Sequence, residues 1–178
     1  MSLSIDFRRN DQLPTRPEIE AQCLKNGLYG RGVAIRKPPG GDIVAWAKYG
    51  VNVTTAEALT QEFVARDLDP DSTTLVQVPH VFDAWITPNP HFNVGFIVME
   101  YVNLPGCDHG DSKLIAAAVQ RLHRVEAPGP APGPFGGGPT VHHFFLDWDN
   151  RITYKTVKEL EDHVNGVSEL YSQYVRMT

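Results

Sequence analysis

The sequence predicts an α+β fold, in which an antiparallel sheet of about five strands with one helix is followed by a short helical remainder. Strands are indicated by apolar or alternating segments that proline and glycine clusters separate. Helices are indicated by three Thr-x-x-Glu sequences, because these two side chains can satisfy the free backbone amides at a helix start. We expect the main helix of the sheet to follow its third strand.

The first helix is predicted to begin at Thr15 and to end at Gly27. Pro17 fits its first turn, where no backbone amide donor is needed. The sequence Pro38-Pro-Gly-Gly41 is typical of a turn, and the segments on either side of it are apolar or alternate. The two strands around this turn are therefore predicted to form a hairpin.

A second helix is predicted from Thr54 to Arg66, because apolar residues recur there at helical spacing and Asp67-Leu-Asp-Pro70 ends the pattern. Two further strands follow it, separated by the breaker cluster Thr87-Pro-Asn-Pro90. The four segments predicted as strands are residues 32–37, 42–49, 78–86 and 94–102.

The second half of the chain changes character. A short helix is predicted at about residues 111–124, and the segment Glu126–Pro139 is too rich in proline and glycine to be helix or strand. A last helix with an apolar stripe opens at Thr156. We divide the chain into a sheet lobe with an N-terminal helix, residues 1–102, and a second part, residues 103–178; the alternative is one compact domain.

Composition narrows the classes of function. The 178 residues are 42% hydrophobic and 21% charged with a net charge of -5, which is typical of a globular protein without the basic field that attracts nucleic acid or anionic lipid. No apolar run approaches the ~20 residues that span a bilayer. Cys23 and Cys107 match no metal-site spacing and indicate reduced thiols. We expect a cytoplasmic protein with no nucleic-acid or membrane partner.

Several short motifs, taken in order, resemble one family. They are Ala47-Lys48-Tyr-Gly50, Thr55-Ala-Glu57-Ala, Val78-Pro-His-Val81, Val98-Met-Glu-Tyr101, Gly136-Gly-Gly-Pro, His142-His-Phe-Phe and Leu160-Glu-Asp-His-Val-Asn165. This order is similar to the fungal branch of the aminoglycoside-phosphotransferase-like family, which has a protein-kinase-like fold. The resemblance implies a kinase-like amino-terminal lobe. It also implies that Lys48 holds nucleotide phosphates, that Glu57 pairs with it, and that Glu100 to Val102, including Tyr101, form the hinge.

The resemblance stops before a catalytic loop. Family members carry a His-x-Asp-x-x-x-x-Asn loop and a later magnesium aspartate. In this chain His109-Gly-Asp111 matches the first three positions, but Ala116 stands where the asparagine should be. We therefore interpret this segment as a linker in which Asp111 or Ser112 caps the next helix. A chain truncated before the loop is expected to transfer no phosphate; it is expected to need no metal or cofactor, with ATP binding an unfavoured alternative.

Proton transfer has a separate candidate site. His142, His143 and Asp147 follow a glycine-rich segment, and histidine titrates near neutral pH, so these three residues are the predicted catalytic group. Trp46 and Trp148 complete the predicted ligand-binding set with Lys48, Glu57, Glu100 and Tyr101. The alternative is structural: adjacent histidines point in opposite directions, the tryptophans belong to the core, and Lys48 and Glu57 form only a salt bridge.

These observations favour a repurposed kinase-fold protein that binds a small organic molecule. Its expected chemistry is non-redox, such as a cyclisation, isomerisation or elimination, in which pocket shape and a proton shuttle suffice. Two alternatives stay open: a pseudokinase that binds a nucleotide or a partner protein, and an inactive truncated phosphotransferase. The expected partner is a small-molecule ligand, and a homodimer that covers an apolar face is a further alternative.

Overall fold

The computed structural model describes residues 5–28, 32–38, 40–68, 76–139 and 152–166. It divides into two compact units, Met1–Glu126 and Ala127–Thr178. The helices are α1 (Arg16–Leu24), α2 (Thr55–Leu68), α3 (Ser112–Leu122) and α4 (residues 157–166); the strands are β1 (Val33–Arg36), β2 (Ile43–Gly50), β3 (Val81–Pro88) and β4 (Asn93–Met99).

The sheet is antiparallel with the strand order β1-β2-β4-β3. The α+β class is therefore correct, but the prediction of about five strands is wrong, since the described residues form four. The prediction that the main helix follows the third strand is also wrong, because α2 follows the second. Residues 5–10 are irregular chain and add no strand to the sheet. The Arg8 amide donates to the Val81 carbonyl of β3 at 3.1 Å, and the Asn10 side chain donates to the Val44 carbonyl of β2 at 3.2 Å.

The three predicted helix starts are confirmed by their hydrogen bonds. At α1 the Glu18 carboxylate accepts from the Thr15 amide at 2.8 Å and from its hydroxyl at 2.7 Å. At α2 and α4 a threonine hydroxyl accepts from the amide three residues later, at 3.1 Å for Glu57 and 3.2 Å for Glu159. These bonds satisfy amides that have no partner within the helix.

One face of the sheet packs against α1. Its buried core contains Ile19, Cys23, Ile35, Ala45, Ala47, Tyr49, Trp85, Val94, Phe96 and Val98. Burial raises the pKa of the Cys23 thiol to about 12, so this cysteine is a core residue rather than a reactive group. Cys107 is exposed, and both cysteines are free thiols.

Polar contacts fix α1 across the strands. Arg16 donates to both carboxylate oxygens of Asp83, at 2.7 and 2.8 Å. Glu20 accepts from the Trp85 indole and the Thr87 hydroxyl, each at 2.7 Å. These contacts join α1 to β3. Gln22, also on α1, contacts the backbone of β1.

The opposite face of the sheet packs against α2, which lies mainly over β3 and β4. Its core contains Val53, Ala58, Val81, Ile97 and Met99, with Phe7, Trp46 and Ala84 partly buried against them. Because α2 lies over the other two strands, the side chains of β2 on this face, Trp46 and Lys48, stay half-buried.

The second unit contains a local contact around α4. The buried Tyr154 side chain lies with its hydroxyl 2.9 Å from His163 Nδ1, and the two rings meet edge to face. Of the predicted apolar stripe, Val157 is exposed and Leu160 and Val164 are half-buried, while the residues from Val167 onward lie outside the described residues. None of the helices in the described part of the chain has the length and apolar character needed to cross a bilayer.

Candidate functional site

Lys48 and Glu57 form an ion pair that joins the second strand to the helix after it. The Lys48 ammonium on β2 donates to the Glu57 carboxylate in the first turn of α2. The side chains are 43% and 38% exposed, so water screens the pair and its contribution to stability is about 0–1 kcal/mol. The contact that the sequence resemblance implied is therefore present. The phosphate-binding role of Lys48 stays a prediction.

Trp46 and Tyr101 form an aromatic surface on the same face of the sheet. Trp46 lies two residues before Lys48 on β2, and alternate residues of a strand project to the same side. Its indole stacks with the Tyr101 ring at a centroid distance of 6.4 Å and an interplanar angle of 30°. Gly32 lies close to the indole, since a Cβ added to this glycine would meet the ring at 2.6 Å. The position of the indole is therefore set by Gly32 as well as by Tyr101.

Glu100 is held by the protein itself. Its carboxylate accepts a hydrogen bond from the His80 amide at 3.1 Å and lies 3.9 Å from the Arg8 guanidinium. Its own amide donates to the His80 carbonyl at 3.0 Å. Both the side chain and the amide of this predicted ligand-binding residue therefore have partners that attach the end of β4 to the residue before β3.

Together, these residues could hold a flat molecule with a polar group. The aromatic rings offer a surface for stacking, and the adjacent lysine and glutamate offer a donor and an acceptor.

Within the described ranges, no three His, Cys, Asp or Glu side chains converge as a metal ion would require. The four other predicted site residues, His142, His143, Asp147 and Trp148, lie outside the described residues, and their roles stay predictions.

The segment that imitates a catalytic loop is a single 3-10 turn, His109–Asp111, directly before α3. The Asp108 carboxylate accepts from the Gly110 amide at 2.6 Å, and the Asp111 carboxylate accepts from the Asp108 amide at 2.9 Å. The interpretation as a linker stays a prediction. Asp111 stands at the N-cap position of α3, as the sequence predicted, but its carboxylate makes no capping bond to that helix, while Asp108 caps the 3-10 turn.

A buried charge cluster on α2 was missed by the sequence analysis. The Glu62 side chain is fully buried and accepts hydrogen bonds from Arg66 Nε at 2.8 Å and from the Val81 amide at 2.9 Å. The buried His80 ring lies with Nδ1 3.3 Å from both carboxylate oxygens. A signal was present in the sequence, since Glu62 stands four residues after Ala58 and three before Ala65, on the inward side of the helix.

The environment of Glu62 keeps its carboxylate charged. Burial alone would raise the pKa of this group, but the hydrogen bonds from Arg66, the Val81 amide and His80 outweigh burial and hold the pKa below its ordinary value. The cluster ties α2 to the start of β3. It therefore fixes the helix that carries Glu57 relative to the sheet that carries Lys48.

Comparison with known proteins gives no match to this chain: no family model, no curated protein and no solved structure.

Proposed function

We propose that this chain has a kinase-like amino-terminal lobe that binds a small organic molecule and transfers no phosphate. The observation that carries the proposal is the half-exposed Lys48–Glu57 ion pair beside the Trp46–Tyr101 stack on one face of the sheet. Such a surface combines apolar area with a few polar groups, as small-molecule sites do.

The order of elements supports a kinase-like lobe. In protein kinases a strand lysine pairs with a glutamate of the following helix, and both lie near the nucleotide phosphates. Here Lys48 on β2 pairs with Glu57 on α2, and the hinge-like residues Glu100 to Val102 follow the last strand. The strand order that brings β2 and β4 together places the hinge-like residues next to the lysine strand.

One feature argues against a nucleotide as the ligand. An adenine that used the backbone amide of Glu100 would find it already bonded to the His80 carbonyl. A flat organic molecule that lies on the Trp46 and Tyr101 rings needs no hinge hydrogen bond, so the surface suits it better.

Catalysis without phosphate transfer is part of the proposal. In the turn His109–Asp111 the Asp111 carboxylate accepts from the Asp108 amide, and this bond argues against a role for Asp111 in orienting a phosphate acceptor. Proton transfer is assigned to His142, His143 and Asp147. The reaction class would be a non-redox cyclisation, isomerisation or elimination.

A nucleotide-binding pseudokinase is the second candidate, because the Lys48–Glu57 pair itself favours it. The two candidates differ in the ligand that stabilises the folded state. A thermal-shift screen compares ATP with magnesium against a panel of flat organic anions and neutral molecules, since a ligand that prefers the folded state raises the melting temperature.

Replacing Lys48 with alanine tests the binding role directly. The ligand-induced shift in melting temperature is expected to fall strongly, while the melting temperature of the free protein changes little, because the ion pair is 43% and 38% exposed. Lys113→Ala, which removes an exposed lysine of α3, is the matched control and should leave both temperatures unchanged. An equal loss of stability with and without ligand would assign Lys48 to structure alone.

Gly32→Ala tests the aromatic surface without changing charge. The new Cβ would meet the Trp46 indole at 2.6 Å, so the indole must shift, which alters its stack with Tyr101. We expect ligand affinity to fall by about 10-fold or more, a loss of roughly 1.4 kcal/mol, with a change in tryptophan fluorescence. Unchanged affinity would place the ligand away from the aromatic rings. Gly106→Ala, whose added Cβ meets no atom within 4 Å, is the control.

A further inference from the structure

A groove of about 400 Å³ lies between α1 and the β1–β2 hairpin, separate from the Lys48 surface. One wall is a single helical stripe, because Glu18, Ala21, Gln22 and Lys25 follow one another at spacings of three, one and three residues. The other wall is formed by the end of β1 and the turn after it, from Arg36, Lys37, Pro38 and Gly40. The volume falls in the range of small-molecule sites, roughly 300–1,000 Å³.

The groove is positively charged on a protein whose net charge is -5. Lys25, Arg36 and Lys37 line it against the single carboxylate of Glu18, which leaves a local excess of two positive charges. The lysine ammonium groups of Lys25 and Lys37 form no ion pair with any residue in the described part of the chain. Two cations on facing walls are therefore available to a ligand.

The remaining polar groups of the groove are fixed by internal bonds. Gln22 accepts from the Arg36 amide and donates to the Arg36 carbonyl, both at 3.0 Å, so the helix and the strand are held together at the floor. The Arg36 guanidinium donates to the Gly41 carbonyl at 3.2 Å. Glu18 is occupied by Thr15 at the helix start. Because these groups are already bonded, the groove is formed before a ligand arrives, which lowers the cost of binding.

Apolar side chains also line the groove. Ala21 from the helix and Pro38 from the turn contribute side chains without polar atoms, and the methylene stems of the lysines extend this surface. A ligand that suits the groove has an apolar body and anionic groups that reach the ammonium groups.

We infer that this groove binds a small organic dianion, either a phosphate ester or a dicarboxylate, with its negative charge near Lys25 and Lys37 and its apolar body over Ala21 and Pro38. This site lies on the face of the sheet covered by α1, whereas Lys48 and Trp46 lie on the face covered by α2. The inference therefore stands or fails independently of the proposed function.

Titration of the full chain with phenyl phosphate and with phthalate tests the inference, with inorganic phosphate and phenol as the separate anionic and apolar parts. Amide chemical shifts in two-dimensional NMR report the location, and calorimetry reports the affinity. We expect a dissociation constant on the order of 1 mM for a probe of this size. The shift changes are expected at the α1 residues that line the groove and at the turn after β1, and the two separate parts should bind more weakly than either whole probe. Stronger binding of phenyl phosphate than phthalate would identify a phosphate ester as the ligand class, and the reverse order a dicarboxylate.

Lys25→Gln and Lys37→Gln provide the matched variants, and Lys113→Gln removes the same charge from α3. Each groove variant is expected to weaken binding by about 3- to 5-fold, because an exposed charge contact contributes up to about 1 kcal/mol, and Lys113→Gln should have no effect. An equal loss in all three variants would show nonspecific attraction to cations and would overturn the site. If neither phenyl phosphate nor phthalate changes the amide chemical shifts of the groove residues, the inference is overturned as well.

Discussion

Replacing Glu62 with alanine is expected to lower the free energy of unfolding by about 1–3 kcal/mol, because it leaves the buried Val81 amide without its acceptor. Glu62 is fully buried, and its loss would remove the carboxylate that accepts from the Val81 amide and that lies against the His80 ring. Arg66 is half-exposed and can turn to water. Urea denaturation followed by circular dichroism measures the difference.

Glu57→Ala is the control for this prediction, because it removes a glutamate of the same helix whose side chain is 38% exposed. It should cost less than about 1 kcal/mol. Equal losses in the two variants would show that burial of Glu62 does not decide its contribution. A soluble Glu62→Ala protein with unchanged stability would contradict the prediction that the cluster around Glu62 stabilises the fold.

The contribution of Glu62 should also depend on pH. Its pKa in the folded protein lies below the ordinary value of 4.5, so the carboxylate is charged in the folded state at pH values where the unfolded chain already binds protons. The stabilisation is therefore fully present above pH 4.5 and is lost as the pH falls through the lower folded-state pKa. The difference between wild type and Glu62→Ala should shrink in that acid range and stay constant near neutrality.

Gly95→Ala is expected to destabilise the sheet by about 3 kcal/mol or more, since the added methyl group has no space. Its Cβ would lie 1.9 Å from the Val53 carbonyl oxygen and 2.7 Å from the carbonyl carbon. Gly95 lies on β4, a central strand that pairs with Gly50 on one side and Ile86 on the other. The strand cannot move away without breaking bonds on both sides.

Gly106→Ala controls for the loss of backbone freedom, because a Cβ at this exposed position would meet no atom within 4 Å. It should change stability by less than about 0.5 kcal/mol. Thermal unfolding of both variants measures the contrast. A Gly95→Ala protein as stable as the Gly106→Ala protein would mean that the segment at Val53 moves aside at little cost.

Local interactions were the part of the fold that the sequence could predict. Thr15 and Thr54 begin helices because their partners lie three residues away, and the hairpin at Pro38–Gly41 depends on the turn residues themselves. The four segments named as strands each overlap one strand of the sheet. The count of about five and the place of α2 after a third strand were wrong, because they assumed a further strand for which the sequence offered no segment.

The candidate site also contains contacts that the sequence could predict and contacts that it could not. The Lys48–Glu57 contact could be anticipated from a motif order, whereas the stacking of Tyr101 on Trp46 depends on the pairing of β2 with β4, whose partners are 45–53 residues apart in sequence. Glu62 stood at a recognisable inward position. Its partners His80 and Val81 could not be named, because they lie 18 and 19 residues away, at the last residue before β3 and the first residue of β3.

The glutamine that holds α1 to β1 has a second effect. β1 is an edge of the sheet, and edge strands expose amides and carbonyls that can pair with another protein chain. The Gln22 amide occupies the N–H and the C=O of Arg36, so it stands where a neighbouring strand would bond. One side chain thus acts as a substitute for a further strand at this position and protects the sheet against edge-to-edge aggregation.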